Sequence, residues 1–119
     1  MRHLTLATLA VAVVATAAPA FAQPLDELTV YGRSRNTEAE SLSQIVSYAD
    51  LDLAYARDRE VLRQRISFVA RDLCNQLNEP SPSAANLGRS CQDLAIRDAM
   101  TQVRYAVADA RERVAYNGY

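Results

Sequence analysis

The sequence predicts a mainly helical, small α+β domain, in which an antiparallel αα-hairpin stapled by a disulfide follows one or two short β-strands. Three observations support this fold class. Two segments in the second half of the chain repeat apolar residues with the 3.6-residue period of a helix. Short segments of strand-forming composition precede them. Each helical pattern contains one of the two cysteines.

The first 22 residues have the features of a bacterial export signal. Arg2 provides a positive start, residues 4–18 are apolar, and Ala20-Phe21-Ala22 form a small-x-small cleavage site before Gln23. The apolar run is too short and too rich in alanine for a membrane span, which needs about 20 strongly apolar residues. We therefore expect cleavage before Gln23 and a periplasmic or secreted protein without an integral membrane span.

Removing these 22 of the 119 residues leaves 97, which suffices for one compact domain. This part contains 12 arginines, 14 acidic residues, no lysine and no histidine, so its net charge is about −2. Proteins that bind nucleic acids or anionic membranes usually have a clear excess of basic residues. The near-balance of charge therefore argues against a nucleic-acid partner.

Two segments near the start of the exported part have strand-forming composition. Residues 23–44 form a polar N-terminal linker that is interrupted by Leu28-Thr29-Val30-Tyr31, a predicted short strand ending at Gly32. A second strand is predicted at Ile45-Val46-Ser47-Tyr48. The two strands can pair antiparallel, but a lone two-stranded hairpin is marginal in water and needs helices packed on it.

Residues 45–119 are expected to contain the helical domain, and the first helix runs from about Tyr55 to Gln76. Its apolar residues fall on one side, with charged and polar residues opposite. A loop rich in proline and serine follows at residues 78–88. The apolar positions are Leu62, Ile66, Val69, Ala70, Leu73, Cys74 and Leu77.

The second helix is predicted to begin at Cys91 and to stop at Gly118. Ser90 is the expected N-cap, and the carboxylate of Asp93 is placed to accept the N–H of that cap residue. Alanines on the apolar face would let the two helices approach closely. The apolar positions are Cys91, Leu94, Ala95, Ala99, Val103, Ala106, Val107, Ala110 and Val114.

Cys74 lies in the last turn of the first helix and Cys91 in the first turn of the second. An antiparallel hairpin brings the two cysteines together, and an oxidising compartment would join them. A structural disulfide is therefore expected. A redox or metal role is the alternative, but the exported part has no Cys-x-x-Cys pair and no histidine.

Several motifs combine across the exported part. The segment Val46-Ser47-Tyr48-Ala49-Asp50-Leu51-Asp52-Leu53 precedes the two helical patterns, which contain Arg65-Ile66, Ala70, Cys74, Cys91, Ala95 and Ala99. This combination resembles the UrcA family of small exported bacterial proteins. The chain departs from it at Ala54, where the family usually has Ser or Thr, and at Asp58, where it usually has Gly. The resemblance implies an exported protein of this fold, and the family brings no established activity.

Asp50 and Asp52 are the first candidate binding residues. In an extended segment, residues two apart project on the same side, so both carboxylates could hold a hard cation such as calcium. The alternative is structural, with the aspartates facing water or capping the following helix. The further ligands of an EF-hand are missing, and nothing nearby supplies a catalytic nucleophile. No metal site, cofactor or catalytic residue is therefore predicted.

Arginines and tyrosines are the remaining candidates for recognition. Arginines on both helices can bind anions, but acidic residues interleave with them, and Asp93 with Arg97 and Asp109 with Arg113 have the spacing of stabilising helix pairs. Tyr105 and Tyr116 can contribute to a contact surface.

These features favour a non-enzymatic envelope protein that acts by protein–protein contact, with another envelope protein or with itself. The contact is expected through Leu28–Tyr31, acting as a tethered strand, or through the face from Tyr105 to Tyr119. For Leu28–Tyr31 itself, a strand within this domain is the favoured role, and a strand that is offered to another protein's sheet is the alternative. A small-ligand or divalent-cation binding protein, using Asp50 and Asp52 or the arginines, is the alternative function.

Overall fold

A computed structural model describes residues 26–35 and 40–117. It contains two strands, β1 (Glu27–Arg33) and β2 (Ser41–Ser47), and two helices, α1 (Ala56–Gln76) and α2 (Cys91–Asn117). A short 3-10 helix at Ala84–Asn86 lies between the helices. The predicted signal at residues 1–22, the stop at Gly118 and the terminal Tyr119 lie outside the described residues. Within the described part, no helix is long and apolar enough to cross a membrane.

β1 and β2 form a two-stranded antiparallel sheet, which confirms the predicted strands and their pairing. Leu28 lies opposite Val46, and both side chains are buried against the helices. The strands differ from prediction at their ends, because β2 begins at Ser41 instead of Ile45 and β1 continues through Gly32 to Arg33. Gly32 is therefore not a strand terminus. It is buried where β1 meets α1.

The helices supply the cover that this small sheet needs. The predicted ends of α1 are confirmed to within one residue, and α2 begins at Cys91 as predicted. Two positions assigned to the apolar face of α2, Leu94 and Val114, are instead exposed. Val114 lies in the last part of the helix, where residues 111–117 are all exposed. The buried core consists of Leu28, Val30, Val46, Leu53, Leu62, Ile66, Val69, Ala70, Leu73, Ala95, Ala99 and Val103.

A disulfide joins Cys74 of α1 to Cys91 of α2, which confirms the predicted staple. Their Cα atoms are 5.9 Å apart, and both residues are buried. Just beyond Cys74, Asn78 adopts a left-handed conformation, and the N–H of Glu79 donates to the Cys74 carbonyl at 3.0 Å. These contacts form a Schellman motif that ends α1 and turns the chain toward α2.

Ser90 caps α2 as predicted, because the N–H of Asp93 donates to the Ser90 hydroxyl oxygen at 3.0 Å. The Asp93 carboxylate accepts the Ser90 hydroxyl at 2.8 Å, and not the expected backbone N–H of that residue. Arg97, predicted to pair with Asp93, donates instead to the Gly88 carbonyl at 3.1 Å. The Asp93 carboxylate therefore binds the N-cap residue of α2, and Arg97 binds the loop that precedes the helix.

Candidate protein-contact site

The structure separates the two candidate aspartates, because the chain turns between β2 and α1 and is not extended there. Asp50 forms a two-pronged ion pair with Arg65, with N–O distances of 2.8 and 2.6 Å. Hydrogen bonds from Arg65 lower the pKa of Asp50 to about 2. Arg65 also donates to the Ser47 carbonyl at 3.1 Å, so this pair holds α1 to the end of β2.

Asp52 belongs to the turn that begins α1. Its carboxylate accepts the N–H of Ala54 at 3.0 Å, and its own N–H donates to the Asp58 carboxylate at 2.7 Å. Asp58, one of the two departures from the family pattern, therefore helps to fix the start of the helix. Across residues 26–35 and 40–117, no three His, Cys, Asp or Glu side chains are grouped as metal ligands would be.

A cavity of about 250 Å³ lies between the turn after β2 and the last turns of α2. Asp52, Tyr48 and Asp26 line one side, and Asp109 and Arg113 line the other. Asp109 and Arg113 form the helix ion pair that their spacing predicts. Burial raises the pKa of the Tyr48 hydroxyl, and the nearby Asp26 carboxylate acts in the same direction. The tyrosine therefore stays neutral at physiological pH.

Tyr105 and Tyr116 lie on the exposed side of α2, with 76% and 87% of their surfaces accessible. They are separated by eleven residues, which places them about 16 Å apart along the helix. Asp109 and Glu112 occupy the intervening turns on the same side of the helix. The two tyrosines are thus isolated aromatic rings on a charged helix surface, and they do not form a continuous apolar patch.

The segment Leu28–Tyr31 is part of β1 and is not a free tether. Leu28 and Val30 are buried, and the outer edge of β1 is covered by α2. There, Gln102 accepts the N–H of Thr29 at 3.2 Å and donates to the Thr29 carbonyl at 2.8 Å. At Thr29, the Gln102 amide therefore satisfies the two backbone groups that a third strand would satisfy there.

The opposite edge of the sheet belongs to β2. The N–H of Tyr48 bonds to the carbonyl of Asp26, and the N–H of Ser34 bonds to the carbonyl of Glu40. Because hydrogen-bonded pairs alternate along an antiparallel ladder, the odd-numbered residues of β2 direct their N–H and C=O groups away from β1. Arg65 occupies the carbonyl of Ser47. We call the outward backbone groups of Ser41, Ser43 and Ile45 the β2 edge.

The β2 edge has no hydrogen-bond partner within the described residues. Folded proteins usually protect such an edge with charged side chains, proline or a bulge. The strand SLSQIVS contains neither charge nor proline, and its register with β1 runs without interruption from Ser41 to Ser47. Its backbone is therefore available to pair with another extended chain.

An open groove of about 440 Å³ runs beside the β2 edge, between β2 and α1. Phe68 of α1 and Ile45 of β2 line it, with 70% and 60% of their surfaces exposed. Gln64, Arg65 and Val69 complete the wall formed by the helix. A strand added to the β2 edge would lie against Phe68, so backbone pairing and apolar burial would occur together.

The sequence prediction missed the residues of this site. The serines at the start of β2 made residues 41–44 read as linker, and Phe68 lies off the apolar side of its helix. The absence of charge and proline across Ser41–Ser47 was the sequence signal that could have indicated an unprotected strand edge. No family model, curated protein or solved structure matches the chain.

Proposed function

We propose that this is an exported envelope protein that acts by binding another protein chain and does not catalyse a reaction. The observation that carries the proposal is the β2 edge, which has no partner among residues 26–35 and 40–117 and lies beside the exposed ring of Phe68. Adding a strand to such an edge gives affinity through backbone hydrogen bonds, and neighbouring apolar side chains give selectivity. The export signal and the resemblance to the UrcA family, both taken from the sequence, support export from the cytoplasm. Both remain predictions.

Site-specific crosslinking tests this function. A photoreactive phenylalanine analogue at position 68 should capture a polypeptide when the protein is exported in living cells. The same analogue at Leu87, which is at least as exposed but lies in the loop between the helices, is the matched control. An adduct at position 68 that is absent at position 87 supports the proposal.

A second variant links that adduct to strand pairing. Ser43→Pro removes an outward N–H of the β2 edge while leaving the hydrogen bonds to β1 intact. The adduct at position 68 should therefore be lost in Ser43→Pro and kept in Ser43→Thr. No adduct in any background, or an adduct indifferent to Ser43→Pro, would contradict the proposal.

The alternative function, binding of a small ligand or divalent cation, is favoured by the cavity that Asp52 shares with Tyr48. Its acidic rim suits a cationic ligand. Calcium or magnesium should leave the melting temperature nearly unchanged if Asp50 and Asp52 are structural, because a ligand stabilises by binding the native state. A saturable rise that disappears in Asp52→Asn would favour the binding function instead.

A further inference from the structure

We propose that the chain which occupies the β2 edge is a second copy of this protein, paired β2 to β2 in antiparallel orientation. This inference rests on the proposed function, and it names the partner. The pairing joins two two-stranded sheets into one four-stranded sheet with β2 of each copy at the centre. The twofold axis that relates the copies passes between their two Ser43 residues.

The backbone geometry places the axis at Ser43. In the described part of the chain, neither outward group of Ser41, Ser43 or Ile45 has a partner, whereas Arg65 holds the carbonyl of Ser47. An antiparallel arrangement centred on Ser43 sets Ser41 opposite Ile45 of the second copy and Ser43 opposite its own counterpart. Each opposed pair then exchanges two hydrogen bonds. This register uses every free group of the β2 edge and leaves the Arg65 contact in place.

The charges also favour a second copy. No residue of Ser41–Ser47 is charged, so identical strands meet without repulsion between like charges. Glu40, exposed just before β2, arrives in the second copy opposite Val46, beside the Arg65 that binds Ser47. Arg65 is already paired with Asp50, so the uncharged strands themselves, and not a new ion pair, favour a second copy.

The apolar side chains fit the same arrangement. A twofold axis perpendicular to the sheet places both α1 helices on the same face. Phe68 borders residues 44–47 of its own β2, so in this register each exposed ring lies over Glu40–Leu42 of the second copy. On the opposite face, Ile45 lies beside the small side chain of Ser41 from the second copy. Association would therefore cover Phe68 and Ile45, the two exposed apolar residues of the groove.

The oligomeric state of the purified exported protein tests the inference. In sedimentation equilibrium, the wild type and Ser43→Thr should form a dimer, whereas Ser43→Pro should remain a monomer. Circular dichroism and thermal melting should show that the proline variant keeps its fold, because the replaced N–H lies outside the β1 ladder. A wild-type protein that stays monomeric at millimolar concentration would overturn the second-copy proposal.

Engineered cysteines test the register. Ser43→Cys should form a disulfide-linked dimer several-fold more readily than Ser41→Cys, because position 43 meets itself across the axis while position 41 meets position 45. The native Cys74–Cys91 bond is buried and is present in both variants, so it does not affect the comparison of their crosslinking yields. Equal crosslinking at both positions would overturn the axis at Ser43.

The two proposals can fail separately. If the protein is monomeric but position 68 captures a different polypeptide in cells, the second-copy inference is wrong and the contact function stands. If the protein is monomeric and position 68 captures nothing, both are wrong. If the adduct consists of two copies of this chain and requires Ser43, both are supported.

Discussion

At Gly32, the absence of a side chain sets the distance between β1 and α1. An ideal Cβ on this residue would lie 3.0 Å from the Cβ of Leu73, closer than side-chain carbons normally approach. The Cβ of Leu73 is fixed to the backbone of α1, so no side-chain rotation can relieve this contact. From the sequence, a glycine after a β-branched segment indicates a strand end, because no local pattern reveals that a helix packs against it. The close approach is a tertiary property of the fold.

Gly32→Ala is expected to lower the free energy of unfolding by roughly 1–3 kcal/mol, since the added methyl group overpacks the contact with Leu73. Urea denaturation measures the change. Ser43→Ala, on the exposed face of the neighbouring strand, is the control and should stay within about 0.5 kcal/mol of wild type. A Gly32→Ala protein as stable as this control would contradict the contact.

The ion pair of Asp50 predicts a pH dependence. Its pKa of about 2 in the folded protein lies below the ordinary value of 3.8. The contribution of the pair to stability is therefore present above about pH 4 and is lost as the pH falls toward 2. NMR titration should find the low pKa in the wild type and a value near the ordinary one in Arg65→Met. An ordinary pKa in the wild type would contradict the pairing.

At the level of elements, the helices and the disulfide were predictable because apolar periodicity and cysteine placement are local signals. The sequence could not show that α2 packs against the edge of β1 while the edge of β2 stays open within the described residues. Gln102 appears in the sequence as one polar residue on a helix, and its contact with Thr29 spans 73 positions of the chain. The proposed contact surface depends on that difference between the two edges. The sequence does not reveal the difference, and it therefore pointed to the tyrosines and to Leu28–Tyr31.

Gln102→Met should expose the edge of β1. The change removes both hydrogen bonds to Thr29 while keeping the length of the side chain, and it should cost about 1–3 kcal/mol because partly buried backbone groups lose their partners. Hydrogen exchange at the Thr29 amide should accelerate. Gln76→Met, at the end of α1, is the control, and unchanged protection of Thr29 would show that Gln102 does not seal the edge.

At the level of the whole molecule, the disulfide joins the two helices at their connected ends and closes a loop of 17 residues. A domain of this size has a modest core, so one covalent link is a large share of its stability. The Schellman motif after Cys74 and the cap at Ser90 set the directions of the helices on either side of the bond.

The variant with both Cys74→Ser and Cys91→Ser should lose roughly 3 kcal/mol, the loop-closure estimate for this length. Guanidinium denaturation of the variant and the wild type gives the difference. Thiol counting under denaturing conditions should find no free thiol in the exported wild type. Two reactive thiols, or equal denaturation midpoints, would contradict a stabilising staple.

The unequal edges of the sheet also set a limit on growth. A sheet with two open edges can add chains without end, as fibrils do. Here, pairing through β2 leaves β1 as the outermost strand on both sides, and Gln102 already fills the backbone groups of Thr29 in each copy. A further chain would have to displace α2 from β1, so we expect the proposed assembly to stop at two chains. On this proposal, the uncharged β2 edge favours a dimer over a fibril, because α2 packs on β1 in each copy.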